Sequence, residues 1–187
     1  MATAFKPSNE NDDLDGWSLP AWTYHDPEFA ALEVDRIFRR GWQVVCHVSD
    51  VPNAGDWHSL DYIGESVLVV RGADSQVRAF TNVCRHRGSR LVDGASGCAK
   101  KLICPYHAWT YNLDGTLRGA PAMGLNEGFC KDQIALPKIR CQEWLGWIMV
   151  SLNPDGQTTV GLRTWVWPTS GPPQPVVARA ESGPNWA

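Results

Sequence analysis

Cys84-Arg85-His86-Arg87-Gly88 and Cys104-Pro105-Tyr106-His107-Ala108-Trp109 are the two stretches on which the reading of this 187-residue chain turns. Reduced to their donor atoms they run C-x-H, seventeen residues, then C-x-x-H. Each places one thiol and one imidazole within a few residues, among Gly, Pro and Arg neighbours that suit a loop. Two such loops face to face offer two sulfur and two nitrogen ligands. Zinc accepts that set, but zinc modules run C-x2-4-C and then H-x3-5-H. Here each loop pairs a Cys with a His, which is the wrong grouping for a finger. A zinc-stabilised binding module is therefore the lesser alternative.

The alternating order suits a two-iron core. One iron takes Cys84 and Cys104, and the other takes His86 and His107. This is the ligation of a Rieske [2Fe-2S] centre, in which two histidines replace two cysteines on one iron. Neutral imidazoles leave that iron electron-poor, which raises the potential above that of all-cysteine clusters. The incoming electron is expected on the His-bound iron, with a ligand imidazole as its exit. Arg87, Gly88, Tyr106 and Trp109 are the expected neighbours of the cluster. Trp109 reads as a shield against water, and Arg85 or Arg87 as a hydrogen-bond donor or a docking charge.

Working outward, a period of two dominates. Trp42, Val44, Cys46 and Val48 alternate with Gln43, Val45, His47 and Ser49, as in a half-buried strand. Further strands are expected at 57–63, 66–71, 77–83, 109–112, 116–118 and 144–152, with turns at Pro52-Asn53-Ala54-Gly55, Gly72-Ala73-Asp74 and Asp114-Gly115. One helix precedes them: Asp26 caps it, Pro27 opens it and Gly41 closes it. Ala30, Val34, Ile37 and Phe38 hold the spacing of one buried stripe. The expected fold is mainly β, with antiparallel sheets carrying two cluster-binding loops behind one N-terminal helix. The expected divisions are an arm and helix at 1–41, the cluster domain at 42–156 and an irregular, disordered tail at 157–187.

Composition narrows the rest. Apolar residues at 43% and charged residues at 20% suit a soluble globular chain. A net charge of −3 and a pI near 5.9 argue against a nucleic-acid binder. No apolar run approaches a membrane span, and the polar, acidic start is not a signal peptide. A cytoplasmic location follows, where cysteines mark metal or redox sites more often than disulfides. Cys46 reads as a small buried hydrophobe, Cys98 as packing near the cluster, and His25, His47 and His58 as turn or surface residues. Cys130 and Cys141 have no partner histidine at metal spacing.

The two loops, with Tyr111-Asn112-Leu113-Asp114-Gly115, Gly119-Ala120-Pro121 and the entry from Tyr24 to Trp42, resemble the Rieske portion of ring-hydroxylating, more broadly Rieske non-haem iron, oxygenase alpha subunits. The resemblance runs from about residue 18 to 156. It implies an oxidoreductase, monooxygenase or dioxygenase, that draws electrons from a reductase or ferredoxin and forms trimers. It also implies a mononuclear Fe(II) in a separate C-terminal domain, acting on an aromatic ring or an N-methyl amine. That iron is not expected in this chain, and the sequence assigns no catalytic residue. A facial triad needs two histidines and a carboxylate, yet no histidine follows His107. The chain is thus expected to be a fragment that relays electrons without turnover; a freestanding Rieske ferredoxin is the alternative. Respiratory Rieske proteins carry two extra loop cysteines and a serine two residues after the second ligand histidine. Here those places hold Ser89, Tyr106 and Trp109. Fewer hydrogen bonds to sulfur imply a potential near the low end of the Rieske range, roughly −150 mV.

Overall fold

The computed structural model describes residues 19, 21–124 and 128–154. The polar arm before them and the segment 157–187 lie outside the described residues. Helix α1, Pro27–Glu33, starts as its residues dictate: the Asp26 carboxylate accepts from the Phe29 N–H at 2.8 Å, and Pro27 stands where no N–H is needed. The helix then widens into a π turn over Val34–Phe38, with the Arg39 N–H reaching back to the Val34 carbonyl at 2.9 Å. Gly41 ends it by donating to the Ile37 carbonyl at 2.8 Å. The expected buried stripe does not form. Ala30 is exposed, Val34 is half-buried, and Ile37 and Phe38 are 58% and 42% exposed. The π turn adds a residue per turn, so Ile37 and Phe38 swing off the line set by Ala30 and Val34.

The strands are β1 Gln43–His47, β2 Asp56–Tyr62, β3 Glu65–Arg71, β4 Val77–Thr81, β5 Ser96–Cys98, β6 Leu102–Ile103, β7 Thr110–Tyr111, β8 Leu117–Gly119, β9 Lys138–Trp144 and β10 Trp147–Ser151. Seven form one antiparallel sheet in the order β1-β10-β9-β4-β3-β2-β5, and β6-β7-β8 form a second. The mainly β, antiparallel fold behind one helix is as expected. The last strand is not: 144–152 is the second half of a hairpin whose first half, β9, the alternation did not reveal. Its turn, Leu145-Gly146, has φ of 48° and 84°, a two-residue hairpin geometry that usually shows itself as Asn-Gly. In β1 a bulge between Val44 and Cys46 breaks the alternation, so Val44 is 40% exposed while Cys46 is buried.

β3 organises the interior. Val67 and Val69 face one cluster with Cys46, Val51, Ile148 and Val150. Leu68 and Val70, one residue out of phase, face another with Phe80, Leu102, Trp109 and Tyr111. All four β3 residues have no exposed area. At ~1.5–3 kcal/mol for each fully buried aliphatic side chain, this strand is the chief apolar investment of the fold. The second cluster also contains Cys84 and Cys104, so the ligand loops are anchored in the core from which they project.

Candidate metal centre

The two ligand loops share one backbone frame. In the first, the Cys84 N–H donates to the Ser89 carbonyl at 2.8 Å, and the Gly88 N–H donates to the Cys84 carbonyl at 3.1 Å. In the second, the Cys104 N–H donates to the Trp109 carbonyl at 2.8 Å, and the Ala108 N–H donates to the Cys104 carbonyl at 3.0 Å. The fifth residue of each is left-handed, Gly88 at φ 73° and Ala108 at φ 56°. A Cβ at Gly88 would meet nothing within 4 Å, so glycine serves there for its backbone freedom alone. Within this common frame the histidine stands at the third position of one loop and the fourth of the other.

The frame sets the four expected ligands in two pairs, His86 beside His107 and Cys84 beside Cys104. Cys84 and Cys104 are each 2% exposed. The His86 and His107 rings lie 4.7 Å apart, centroid to centroid. Their Nδ1 atoms are both buried without a hydrogen-bond partner among the described residues. Two imidazole nitrogens shielded from water at the same spot carry an unmet desolvation cost, and a metal meets it. Two buried sulfurs and two orphaned Nδ1 atoms are of the kind and number that a Rieske cluster takes. Among the described residues, no three His, Cys, Asp or Glu side chains converge on a point that one ion could fill. A two-iron core asks for two protein ligands at each iron.

The neighbours differ in role. Trp109, 4% exposed, stacks on His86 with centroids 4.8 Å apart and planes 6° from parallel, and Phe129 closes edge-on against it at 5.7 Å. Tyr106, 60% exposed, leans on the His107 ring at 3.7 Å. Arg85 and Arg87 are exposed. Burial, with the charges of His107 and Arg87, holds the His86 imidazole below its ordinary pKa, which favours the neutral form that ligates metal. The Cys104 thiol is also held low: burial opposes ionisation, but the backbone N–H groups of Tyr106 and His107 outweigh it, helped by the Cys84 and Ser89 side chains.

Two residues that sequence reasoning passed over support the site. The Tyr111 hydroxyl accepts from the Arg85 N–H at 3.0 Å and lies 3.3 Å from Cys84 Sγ. It thus supplies a hydrogen bond to sulfur that the comparison with respiratory proteins had not counted. Asn82, with no exposed area, clamps the far end of the first loop. Its Oδ1 accepts from the Leu91 and Val92 N–H groups at 3.3 and 3.1 Å, and its Nδ2 donates to the Val92 carbonyl at 2.9 Å. Tyr111 was legible only as part of a hairpin, and Asn82 only as the end of a strand. The other cysteines lie elsewhere. Cys46 is buried on β1, as expected. Cys98 is exposed on edge strand β5, where its thiol bonds to Asp56, rather than packed near the cluster. Cys130 is exposed and Cys141 half-buried. His47 bonds to Ser49 at 2.8 Å in a turn, His58 is half-buried on β2, and His25 is exposed.

The profile of the Rieske [2Fe-2S] domain family matches residues 41–136. The carnitine monooxygenase oxygenase subunit of Escherichia coli strain K12 is 36% identical over 141 residues, 75% of this chain and 38% of that protein. The glycine betaine monooxygenase oxygenase subunit of Pseudomonas aeruginosa strain UCBPP-PA14 is 39% identical over 140 residues, 74% of this chain and 32% of that protein. Naphthalene 1,2-dioxygenase from Rhodococcus sp., solved with indole bound, superposes with a TM-score of 0.71 at 31% identity, covering 77% of this chain and 33% of the other. The matched part therefore spans well under half of each relative. No helix among the described residues is long and apolar enough to cross a membrane.

Proposed function

The chain belongs to the Rieske [2Fe-2S] domain family, and from that membership we propose that it is the electron-relay portion of a Rieske non-haem iron oxygenase alpha subunit. The observation that carries the reading is the pair of buried, unpartnered Nδ1 atoms of His86 and His107 beside two buried cysteine sulfurs. Cys84 and Cys104 would hold one iron, His86 and His107 the other. The group supplies reversible one-electron chemistry when bound. The chain's own residues do the rest. Trp109 and Phe129 keep water from the inner side of His86. Tyr111 and the second loop's N–H groups direct hydrogen-bond donors at the sulfurs. His107, with Tyr106 leaning on it at the surface, offers the route by which an electron leaves or enters.

The donor is a reductase or ferredoxin with an acidic face. Residues 84–118 carry six Arg and Lys against two Asp, a local net of +4 in a chain whose overall charge is −3. An electropositive surface around the loops would steer such a partner, and salt would slow the encounter. Onward transfer goes to a mononuclear iron belonging to the part of the relatives that this chain does not span. The whole protein's activity is oxygenation of an aromatic ring or an N-methyl amine, in the cytoplasm and as a trimer. The 187-residue chain itself lacks the means: only His25, His47 and His58 lie outside the cluster loops, and a facial triad needs two histidines together.

The test is reconstitution of the purified chain with iron and sulfide. The expected result is about two irons per chain, Rieske-type visible absorption and reduction by a ferredoxin reductase system at a rate that falls with salt. No product is expected with substrate and O2. Stoichiometric zinc with no visible band, or product formation by the chain and reductase alone, would overturn the reading.

A further inference from the structure

A second polar site lies away from the cluster loops, at the end of the large sheet where β4, β9 and β10 meet. A cavity of about 230 Å3 there is lined by Arg39, Glu65, Thr81, Lys138, Arg140 and Ser151, among others. Three cations face one carboxylate. Arg39 and Glu65 satisfy each other at 3.1 Å. Lys138 and Arg140 have no carboxylate within ion-pair distance among the described residues. They are two apart on β9, so they project from the same face, with backbones about 7 Å apart at the rise of a strand. The Arg140 guanidinium is seated over the Trp42 ring at 5.1 Å, which fixes its plane while leaving its N–H edge open. Ser151, 2% exposed, stands opposite Arg140 in register on β10 and so shares its face.

Two like charges on one sheet face repel each other. A pocket that keeps them together beside the Ser151 hydroxyl is arranged for a counter-charge with several acceptor oxygens. We infer that this cavity binds a small dianion of the phosphate or dicarboxylate type, held by Lys138 and Arg140 and hydrogen-bonded by Ser151. Arg140 suits the bidentate fork such a group presents, and Lys138 adds a point charge. The volume admits inorganic phosphate or a four-carbon dicarboxylate.

The experiment is isothermal titration of the full 187-residue chain with inorganic phosphate and, separately, with succinate, at constant ionic strength set by chloride. Saturable one-site binding of at least one dianion is expected, with a melting temperature that climbs as that anion is added. The paired substitutions Lys138→Gln and Arg140→Gln should weaken binding at least tenfold while leaving the circular dichroism spectrum unchanged. The conservative Lys138→Arg, which keeps both charges and the Arg140 fork, should retain most of the affinity. Lys100→Gln with Lys101→Gln, on a different face, should leave it unchanged. Which of the two titrants binds separates a phosphate from a dicarboxylate site. Absence of saturable binding to either, equal competition by chloride, or undiminished affinity in the Gln pair would overturn the assignment.

Discussion

Replacing Tyr111 by Phe removes one oxygen, and its consequence can be worked from two distances. The hydroxyl lies 3.3 Å from Cys84 Sγ and accepts from the Arg85 N–H at 3.0 Å. Burial, and then the bond to Cys84, push its pKa up, so it is a neutral donor at any working pH. A hydrogen bond to a charged acceptor contributes about 1.5–3 kcal/mol. What moves the potential is the part that grows when the cluster gains an electron and its sulfurs become more negative. Taking that part as about 1 kcal/mol, and 59 mV per tenfold change for one electron, the Tyr111→Phe protein should have a midpoint lower by about 40 mV. The Arg85 N–H loses its acceptor at the same time, which should cost about 1–3 kcal/mol of stability. Potentiometric titration followed by visible absorption and electron paramagnetic resonance measures the first effect, and urea unfolding the second. The native midpoint itself should sit above the roughly −150 mV expected from the loop sequences alone, because Tyr111 had not been counted. An unchanged or higher midpoint in a variant whose cluster spectrum is intact would refute the role given to this hydroxyl.

The remaining predictions are simpler. Ala at Cys84, His86, Cys104 or His107 should abolish the Rieske absorption and lower bound iron, read by spectroscopy and metal analysis; a normal cluster in any one of them would remove that residue from the ligand set. Asn82→Ala leaves the Val92 N–H without its acceptor and the Leu91 N–H with only the main-chain carbonyl of residue 82, and should cost about 1–3 kcal/mol in urea unfolding, with slower cluster assembly. Stability should fall on the alkaline side. Burial pushes the Cys141 thiol from 9.0 to about 12, and burial with Asp50 pushes Cys46 from 9.0 to about 11. The unfolded chain therefore releases these protons before the folded one does, and the stabilisation present below pH 9 is lost as pH rises towards those values. Cys141→Ala should flatten that limb of the stability curve, and an unchanged alkaline slope would count against it.

Much of this molecule was legible before its geometry was known, and the divide follows the range of the interactions. Asp26 and Pro27 act on the next three residues, so the helix start could be read directly. The strands β2, β3 and β4 could be read from apolar stretches set off by local turn residues. The four proposed ligands stood out in the sequence because thiol and imidazole at that spacing suit few metal sites. What failed depended on contacts made at a distance, or on local geometry the residue types do not announce. Leu145 stands in a left-handed turn where no Asn or Asp advertised it, which hid β9. A π turn moved Ile37 and Phe38 off the stripe that regular helix spacing implied. Tyr111 reaches Cys84 across 27 residues and Asn82 reaches Val92 across 10; no period connects such pairs. Trp42 and Ser151 meet Arg140 only through the pairing of β9 with β10 and β1 beside it, so nothing local marks that pair of charges.

The shared frame of the two ligand loops makes them interchangeable parts. In each, six residues are closed by the same pair of main-chain bonds, with one left-handed joint at the fifth position. C-x-H and C-x-x-H look like different motifs when written out, yet they are one piece of backbone used twice, with the imidazole slid along by a single place. The difference between the two halves of the centre is thus held in side chains rather than in chain path. A graft of Cys104–Trp109 onto the span Cys84–Ser89 would meet the same anchoring geometry at both ends. Lengthening either loop by one residue would break the frame itself, whichever residues it carried.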